Sequence, residues 1–476
     1  MKIKQIYRTI WVFGIIVCLH SCLPVLETQK NSLTQAPQTF NGNADSTNSF
    51  QEDRKAFFHD PFLSALIDTA LQNNQELNIL TQEIKVAQNE ILARKGAYIP
   101  FVAVGGGMAA DKVGRYTSQG ASDAVTQISP GKPTPDVLGN FILGGSVSWE
   151  VDIWKKLRNA RDAAINRYLA TEEGRNFAVT HLISEIAQSY YELLAYDNQL
   201  EILQQNIDIQ KNALEIVKVE KIAARVTELA VKKFEAEVLK NQSHVYYLKQ
   251  LIIETENRIN FLVGRFPQTI QRDAKSFALT APDDIKAGLP SQLLANRPDI
   301  RQAEQLLKAS KLDVKVAKAE FYPTFMIDGR VGFNAFNPKF LLSSPESMIF
   351  SMAGNLMAPI INRKGIKATY LSANAKQIQA MYYYEQSILR AYIEVSNQLS
   401  NISNLRSNYE LKAKQVEALT ESINISTALF RNARADYMEV LLTQRDALES
   451  KFDLIETRML QYHAWVEMYR ALGGGR

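Results

Sequence analysis

Five histidines, two cysteines and a run of three glycines are the residues of this 476-residue chain whose types invite a search for chemistry. A zinc site needs three or four convergent ligands, and the histidines are scattered, so each is expected on a helix surface. Gly105, Gly106 and Gly107 lack the lysine and the strand-to-helix setting of a phosphate loop, and are expected to ease a bend in a strand. No Ser, His and Asp gather around a nucleophile turn, so no enzyme and no cofactor is expected. The one pattern with a chemical consequence lies at the start. Lys2, Lys4 and Arg8 precede the apolar run 10–19, and Leu19-His20-Ser21-Cys22 follows in the form of a lipoprotein cleavage box. Cleavage before Cys22 would present its thiol for lipidation; a plain signal cut elsewhere, with Cys22 left free, is the other reading. The apolar run is about half the ~20 residues a helix needs to cross a membrane core, so it is a signal and not a span. Cys18 lies within it, which leaves the mature chain one thiol and no internal disulfide.

The elements that follow are unusual in length. The net charge of +4 is small and no basic cluster is interleaved with aromatics, so nucleic acid is not implied. Residues 22–58 are rich in Asn, Gln, Ser and Thr and read as a polar tether. Asp60 followed by Pro61 is an N-cap with proline at the first helical position. Residues 155–263 hold no proline and one glycine, and residues 366–472 hold neither, which only long helices tolerate. Leu182, Ile186, Leu193, Leu200 and Leu203, and again Leu441, Leu448 and Ile455, keep the spacing of helices packed side by side. A helix over 155–220 would reach ~100 Å.

The chain is also duplicated. Residues 74–100 lie without gaps over 297–323, an offset of 223, while Val151 and Ile360, Glu185 and Glu394, Val231 and Val440, and Gly264 and Gly473 are each 209 apart. The first copy therefore carries a longer loop between Pro100 and Trp149. Between the helices the period changes to two. Phe325, Ile327, Val331 and Phe333 alternate with Met326, Asp328, Arg330 and Asn334, and Phe350, Met352 and Leu356 alternate with Ser351 and Asn355. In the first copy Phe101, Val102 and Val104 lead into the glycines, and Phe141, Leu143, Val147 and Trp149 alternate with Ser146 and Ser148. Such strands can cover a soluble core or cross a bilayer. Two hairpins supply four strands, which cannot close a barrel, and an open edge in lipid leaves backbone groups unpaired at several kcal/mol each. Several chains would have to share one barrel, with Tyr98, Trp149, Phe321 and Tyr322 in its aromatic girdles.

Residues 289–323, LPSQLLANRPDIRQAEQLLKASKLDVKVAKAEFYP, contain Asn296-Arg297-Pro298-Asp299-Ile300 and an aromatic-Pro ending. With residues 145–152, GSVSWEVD, and 469–475, YRALGGG, they resemble the TolC-like outer-membrane efflux ducts, in particular the NodT-type or OprM-like lipoprotein branch. The resemblance covers essentially everything after the tether. It implies a mostly α protein with membrane β-strands: a homotrimer whose twelve-stranded barrel in the outer membrane continues into a periplasmic α-helical barrel. It implies no enzyme but a passive conduit for small molecules such as drugs, partnered by a periplasmic adaptor and an inner-membrane pump of the resistance-nodulation-division type. A conduit for type I protein or peptide secretion is the rival within the same fold.

The expected organisation is a signal over 1–21, the lipidated tether over 22–58, a first repeat over 59–267 with its hairpin at about 99–149, a connector over 268–288, and a second repeat over 289–476 with its hairpin at about 323–358. The family docks its adaptor at the helix turns farthest from the membrane, which map onto Arg225, Val226 and Thr227 and onto Arg434, Ala435, Asp436 and Tyr437. Where relatives commonly have Gly in these turns, this chain has Ala224-Arg225 and Ala433-Arg434. Relatives often close the inner mouth with a ring of acidic residues just before the second turn, whereas this chain offers Glu421 and Asn424 there, and Glu421 reads equally as a solvated helix residue. Twisting of the helix pairs near 215–235 and 424–445 would widen that mouth.

Overall fold

The structure is a computed structural model that describes residues 24, 26, 37, 39, 40, 54–283, 286–432 and 434–474. The signal segment 1–21, the lipidation residue Cys22 and most of the tether lie outside the described residues. In chain order the helices are α1 (Arg54–Phe57), α2 (Pro61–Asn73), α3 (Gln75–Ala97), α4 (Ser118–Asp123), α5 (Lys156–Ile222), α6 (Glu228–Val263), α7 (Ala274–Leu279), α8 (Pro290–Asn296), α9 (Pro298–Ala319), α10 (Lys364–Arg431) and α11 (Tyr437–Ala471). The strands are β1 (Phe101–Lys112), β2 (Gln127–Ser129), β3 (Lys132–Pro133), β4 (Val137–Val151), β5 (Thr324–Ala335) and β6 (Met348–Met357). The chain divides into two compact units, one holding Val86–Tyr168 and Gln305–Met381, the other Leu169–Glu304 and Tyr382–Arg476 together with Asn31–Lys85.

The first unit is built on an antiparallel sheet in the order β1-β4-β5-β6, which leaves β1 and β6 as its edges. Both hairpin strands of the first copy run beyond the glycines, because Met108, Ala110 and Lys112 keep pairing with Phe141, Gly139 and Val137. The longer first-copy loop is not featureless. It contains α4, capped by Thr117 Oγ1 accepting from Gly120 N at 3.1 Å, and the small β2–β3 hairpin. A separate apolar cluster of Val314, Ala317, Phe321 and Tyr370 anchors the adjoining helical segments.

The second unit is helical. Asp60 caps α2 as its side chain predicts: Oδ1 accepts from Phe62 N at 2.7 Å and Leu63 N at 3.2 Å. The short α1 stands ahead of it, so structure begins earlier than Asp60. The main core joins α1 and α2 to the middle of α5 and the last turns of α6 and α11, with Leu63, Ile67, Ile186, Tyr190 and Leu193 fully buried.

Duplication shows in how each copy ties off its returning helix. Asn74 Nδ2 donates to the Leu262 carbonyl at 2.8 Å, and Arg297, the residue 223 positions on, donates from Nη1 to the Ala471 carbonyl at 3.0 Å. Those carbonyls are themselves 209 apart. α6 and α11 both close on a glycine in the left-handed region, Gly264 at φ 77 and Gly473 at φ 110, with six-to-one bonds from Arg265 N to Asn260 O and from Gly474 N to Tyr469 O, both 2.9 Å.

Candidate functional site

Strand pairing sorts the sheet's side chains onto two faces. Because Val102 is opposite Val147, Leu143 opposite Phe333, Trp149 opposite Ile327 and Val331 opposite Phe350, most of the apolar residues of the four strands fall on one side, with Phe101, Ile142, Met326 and Ile349 on the other. That side is bare in the monomer, with Val104, Met108, Phe350 and Met352 all more than 80% exposed. The opposite face collects Asn140, Ser146, Ser148, Glu150, Asp328, Arg330, Asn334, Ser351 and Asn355. Its polar groups are organised. Ser148 Oγ donates to Asp328 Oδ1 at 2.8 Å and Asn355 Nδ2 donates to Asp328 Oδ2 at 3.2 Å, a row across β4, β5 and β6. Asn334 Nδ2 donates to Asn140 Oδ1 at 2.8 Å farther along, and Lys156 pairs with Glu150 at 2.5 Å. A sheet with one face for lipid and one for water is the wall of an aqueous channel.

Where the strands meet helices, aromatic residues with polar handles fix the junction. Trp149 Nε1 donates to the Tyr98 carbonyl at 3.1 Å, and Arg161 reaches the Tyr98 hydroxyl at 3.1 Å. Tyr322 stacks on Trp154 at 4.8 Å, whose Nε1 donates to the Pro323 carbonyl at 2.8 Å. Trp154 was not singled out in the sequence, although its place three residues past β4 is the signal. Phe321 departs from the expected girdle. It is buried against the edge of Tyr370, 5.7 Å between ring centres, with the Arg363 guanidinium 4.9 Å over its face, so it packs inside rather than facing lipid.

The turn between α5 and α6 is a left-handed cap built on alanine. Ala224 sits at φ 56, Ala224 N donates to Lys221 O and Arg225 N to Glu220 O, both at 2.9 Å. The turn after α10 repeats the longer bond, Arg434 N to Leu429 O at 2.9 Å, while Ala433 lies outside the described residues. Arg225, Thr227, Arg434 and Asp436 are exposed, whereas Val226, Ala435 and Tyr437 are half-buried. Val226 and Tyr437 pack with Phe430 against Leu214, Val217, Ala230 and Phe234, which brings the two turns onto one apolar cluster. Lys221 is ion-paired with Glu228 across the first turn. Glu421 and Asn424 lie on the exposed side of α10, two to three turns before its end.

Between that cluster and the next one up, which holds Leu203, Ile207, Leu248 and Leu448, the same helices carry buried amides. Asn241 Nδ2 donates to Gln210 Oε1 at 2.8 Å, while Asn206 Oδ1, Gln210 Nε2 and Gln444 Oε1 have no partner among the described residues. These were missed in the sequence because a polar residue in a heptad stripe is indistinguishable from a solvated one until the third helix is placed.

Arg297, in the most specific motif, does structural work. It is 3% exposed, bonds Asp299 through Nε and Nη2 at 3.0 and 2.7 Å, and bonds Glu394 at 2.8 Å. Burial disfavours its charge, but Asp299 and Glu394 outweigh that and hold its pKa above the ordinary arginine value. Of the histidines, His463 is not a surface residue: it is half-buried with Nε2 3.1 Å from the Gln188 carbonyl, and burial holds its pKa below 6.5. His59 is exposed but precedes α2 rather than lying on a helix. Among the described residues, no group of three His, Cys, Asp or Glu side chains is placed to hold a metal.

Residues 66–265 and 289–474 match the family described as outer membrane efflux protein. The chain belongs to that family. It is an outer-membrane efflux duct, and its family consists of channels rather than enzymes. Among its relatives is the pyoverdine export outer membrane protein OpmQ of Pseudomonas aeruginosa, 27% identical over 88% of this chain and 86% of that protein. Another is the cation efflux system protein CusC of Escherichia coli K12, 24% identical over 97% of this chain and 98% of that one. The solved structure of the outer-membrane channel OprN has the same fold, with a TM-score of 0.82 at 23% identity over 95% of this chain and 99% of that chain.

Proposed function

We propose that three copies of this chain close a twelve-stranded barrel and that the resulting duct exports small molecules, opened by a periplasmic adaptor and supplied by a proton-driven inner-membrane pump. The observation that carries the reading is the sheet itself: one apolar face, one hydrogen-bonded polar face, and unpaired edges at β1 and β6. In lipid those edges must pair with something, and the edge strands of neighbouring copies are the partners of matching length. Small-molecule cargo rests on the relatives, whose names specify pyoverdine export, cation efflux and solvent efflux. Cys22 would carry the lipid that holds the tether to the membrane.

The adaptor would dock on Arg225, Val226, Thr227, Arg434, Ala435, Asp436 and Tyr437, with the exposed arginines supplying charge and the half-buried residues fixing the turn shape. Glu421 and Asn424 would border the aperture. A deletion strain tested against hydrophobic drugs, detergents and metal salts should become hypersensitive to several unrelated compounds and be rescued by the intact gene; sensitivity to metals alone would narrow the cargo to cations, and no phenotype at all would speak against small-molecule efflux. Cysteines placed at position 424 and cross-linked between copies should abolish export, and undiminished export would remove this position from the aperture.

A further inference from the structure

We propose that the helical end of the four-stranded sheet recognises anionic phospholipid, binding its phosphate headgroups to lysines at the strand–helix junctions. This rests on the reading that the apolar face of the sheet meets lipid. The sheet and its flanking segments all belong to the first unit.

The two ends of the sheet differ in charge. At the far end the loops 113–136 and 336–347 hold three cations, Arg115, Lys132 and Lys339, and three acids, Asp123, Asp136 and Glu346. In the ten residues that flank each of the four strands on the helical side there are eleven Lys and Arg, and the acids are Asp152 and Glu320 alone. One end is neutral and the other strongly positive, so only the helical end would attract an anionic surface.

The duplication sorts these cations. Lys95 and Lys318 are 223 apart and Lys155 and Lys364 are 209 apart, so both copies put lysine at the same two junctions. All four are exposed, and none has an ion pair among the described residues. The first copy neutralises the rest of its charge: Lys156 pairs with Glu150, Arg158 with Asp152 and Arg161 with Asp162. Asp152 also caps α5, accepting from Leu157 N at 3.0 Å and Arg158 N at 2.9 Å. In the second copy the residues 209 positions on from those three acids are Pro359, Ile361 and Leu371, and no Asp or Glu occurs between Glu346 and Glu385. The surplus is therefore greatest at the start of α10, where Lys364 and Lys367 are exposed one turn apart.

Bare apolar surface stands beside these lysines. Ile360 and Ile361 are 74% and 88% exposed, and Ile99, Ile153 and Trp154 are about half exposed. They continue the apolar face of the sheet, since β6, which bears the exposed Phe350 and Met352, ends three residues before Ile360. Apolar side chains edged by lysines suit a headgroup layer, where the apolar groups enter the acyl region and the long lysine stems carry their charge back to the phosphates. An acidic protein would suit the lysines but not the isoleucines that prolong a lipid-facing sheet.

The test reconstitutes the protein in phosphatidylcholine vesicles and titrates in phosphatidylglycerol brominated on its acyl chains, in parallel with brominated phosphatidylcholine. Quenching of Trp149 and Trp154 reports lipid at the junction, while Trp465, buried in the second unit, adds a constant background. Brominated phosphatidylglycerol should quench at a roughly fivefold lower mole fraction, the factor that one cation gains at an anionic surface. That preference should shrink in concentrated salt. Lys364→Gln combined with Lys367→Gln should bring the two lipids together and leave quenching by brominated phosphatidylcholine unchanged. Lys132→Gln combined with Lys339→Gln, at the neutral end, should keep the preference. Equal quenching by the two lipids in the parent, a preference that survives the Lys364 and Lys367 substitutions, or one lost equally with Lys132 and Lys339 would each overturn the proposal. Quenching by neither lipid would overturn the lipid-facing sheet itself, and the barrel reading with it.

Discussion

Arg297 shows how a motif can be diagnostic without being chemical. Its guanidinium joins Asp299, Glu394 and the last carbonyl of α11 in a nearly closed environment. Removing one partner of a buried ion network leaves the others charged and unpaired, at about 3–5 kcal/mol. Arg297→Met should therefore lower the unfolding free energy of the solubilised protein by about that much in a denaturant titration, and Arg297→Lys should recover only part because it cannot bridge Asp299 bidentately. His463 makes a prediction about pH. Burial depresses its pKa in the folded chain, so below 6.5 the unfolded chain takes up a proton that the folded chain refuses. Its contribution is thus fully present above 6.5 and lost as the pH falls from there towards the folded-state pKa. The denaturation midpoint of His463→Gln should fall less steeply than the parent's between pH 6.5 and 5, and parallel curves would refute the assignment.

At the scale of elements, three helix ends use one motif with two kinds of residue. α6 and α11 close on Gly264 and Gly473, where the backbone is left-handed, and at Gly264 a side chain would also meet the Asn73 carbonyl at 2.6 Å. The turn after α5 makes the same bend with Ala224 at φ 56. An L residue there costs ~1–2 kcal/mol, partly offset by the chain entropy a glycine loses on folding. Ala224→Gly should raise stability by about 0.5–1 kcal/mol in the same titration. Its effect on export is a separate readout of whether the strained turn has a role. Above the turns, α5, α6 and α11 alternate an apolar layer, the buried amides of Asn206, Gln210, Asn241 and Gln444, and a second apolar layer.

For the molecule as a duct, the polar face of the sheet would line the path through the barrel. Glu150 is matched by Lys156, which leaves Asp111 and Asp328 against Arg330 among the charged residues of that face. Three chains would repeat this surplus around the wall and bias it towards cations. Asp328→Asn should shift the reversal potential of the reconstituted channel, measured across a potassium chloride gradient, towards anions without loss of conductance, because the substitution keeps the side chain's size and Ser148 can still donate to its remaining oxygen.

Much of this was open to reading in one dimension because it depends on period and length. Long stretches without proline or glycine point to long helices, alternation at period two marks strands without saying what they cover, the count of four strands points to a barrel shared between chains, and repeat offsets of 223 and 209 expose the duplication. The N-cap at Asp60 is local for the same reason, its carboxylate reaching only two and three residues ahead. What depends on distant segments meeting had no such signal. Phe321 was expected at a lipid interface until Tyr370 and Arg363 covered it, and the partners of Arg297 come from residues 97 and 174 positions away. The main core joins Phe57, Tyr191, Phe277 and Trp465 from four parts of the chain. A sequence thus determines which residues share a face of one element, since helix and strand geometry fix that locally; which faces meet, and what they enclose, only the tertiary fold decides.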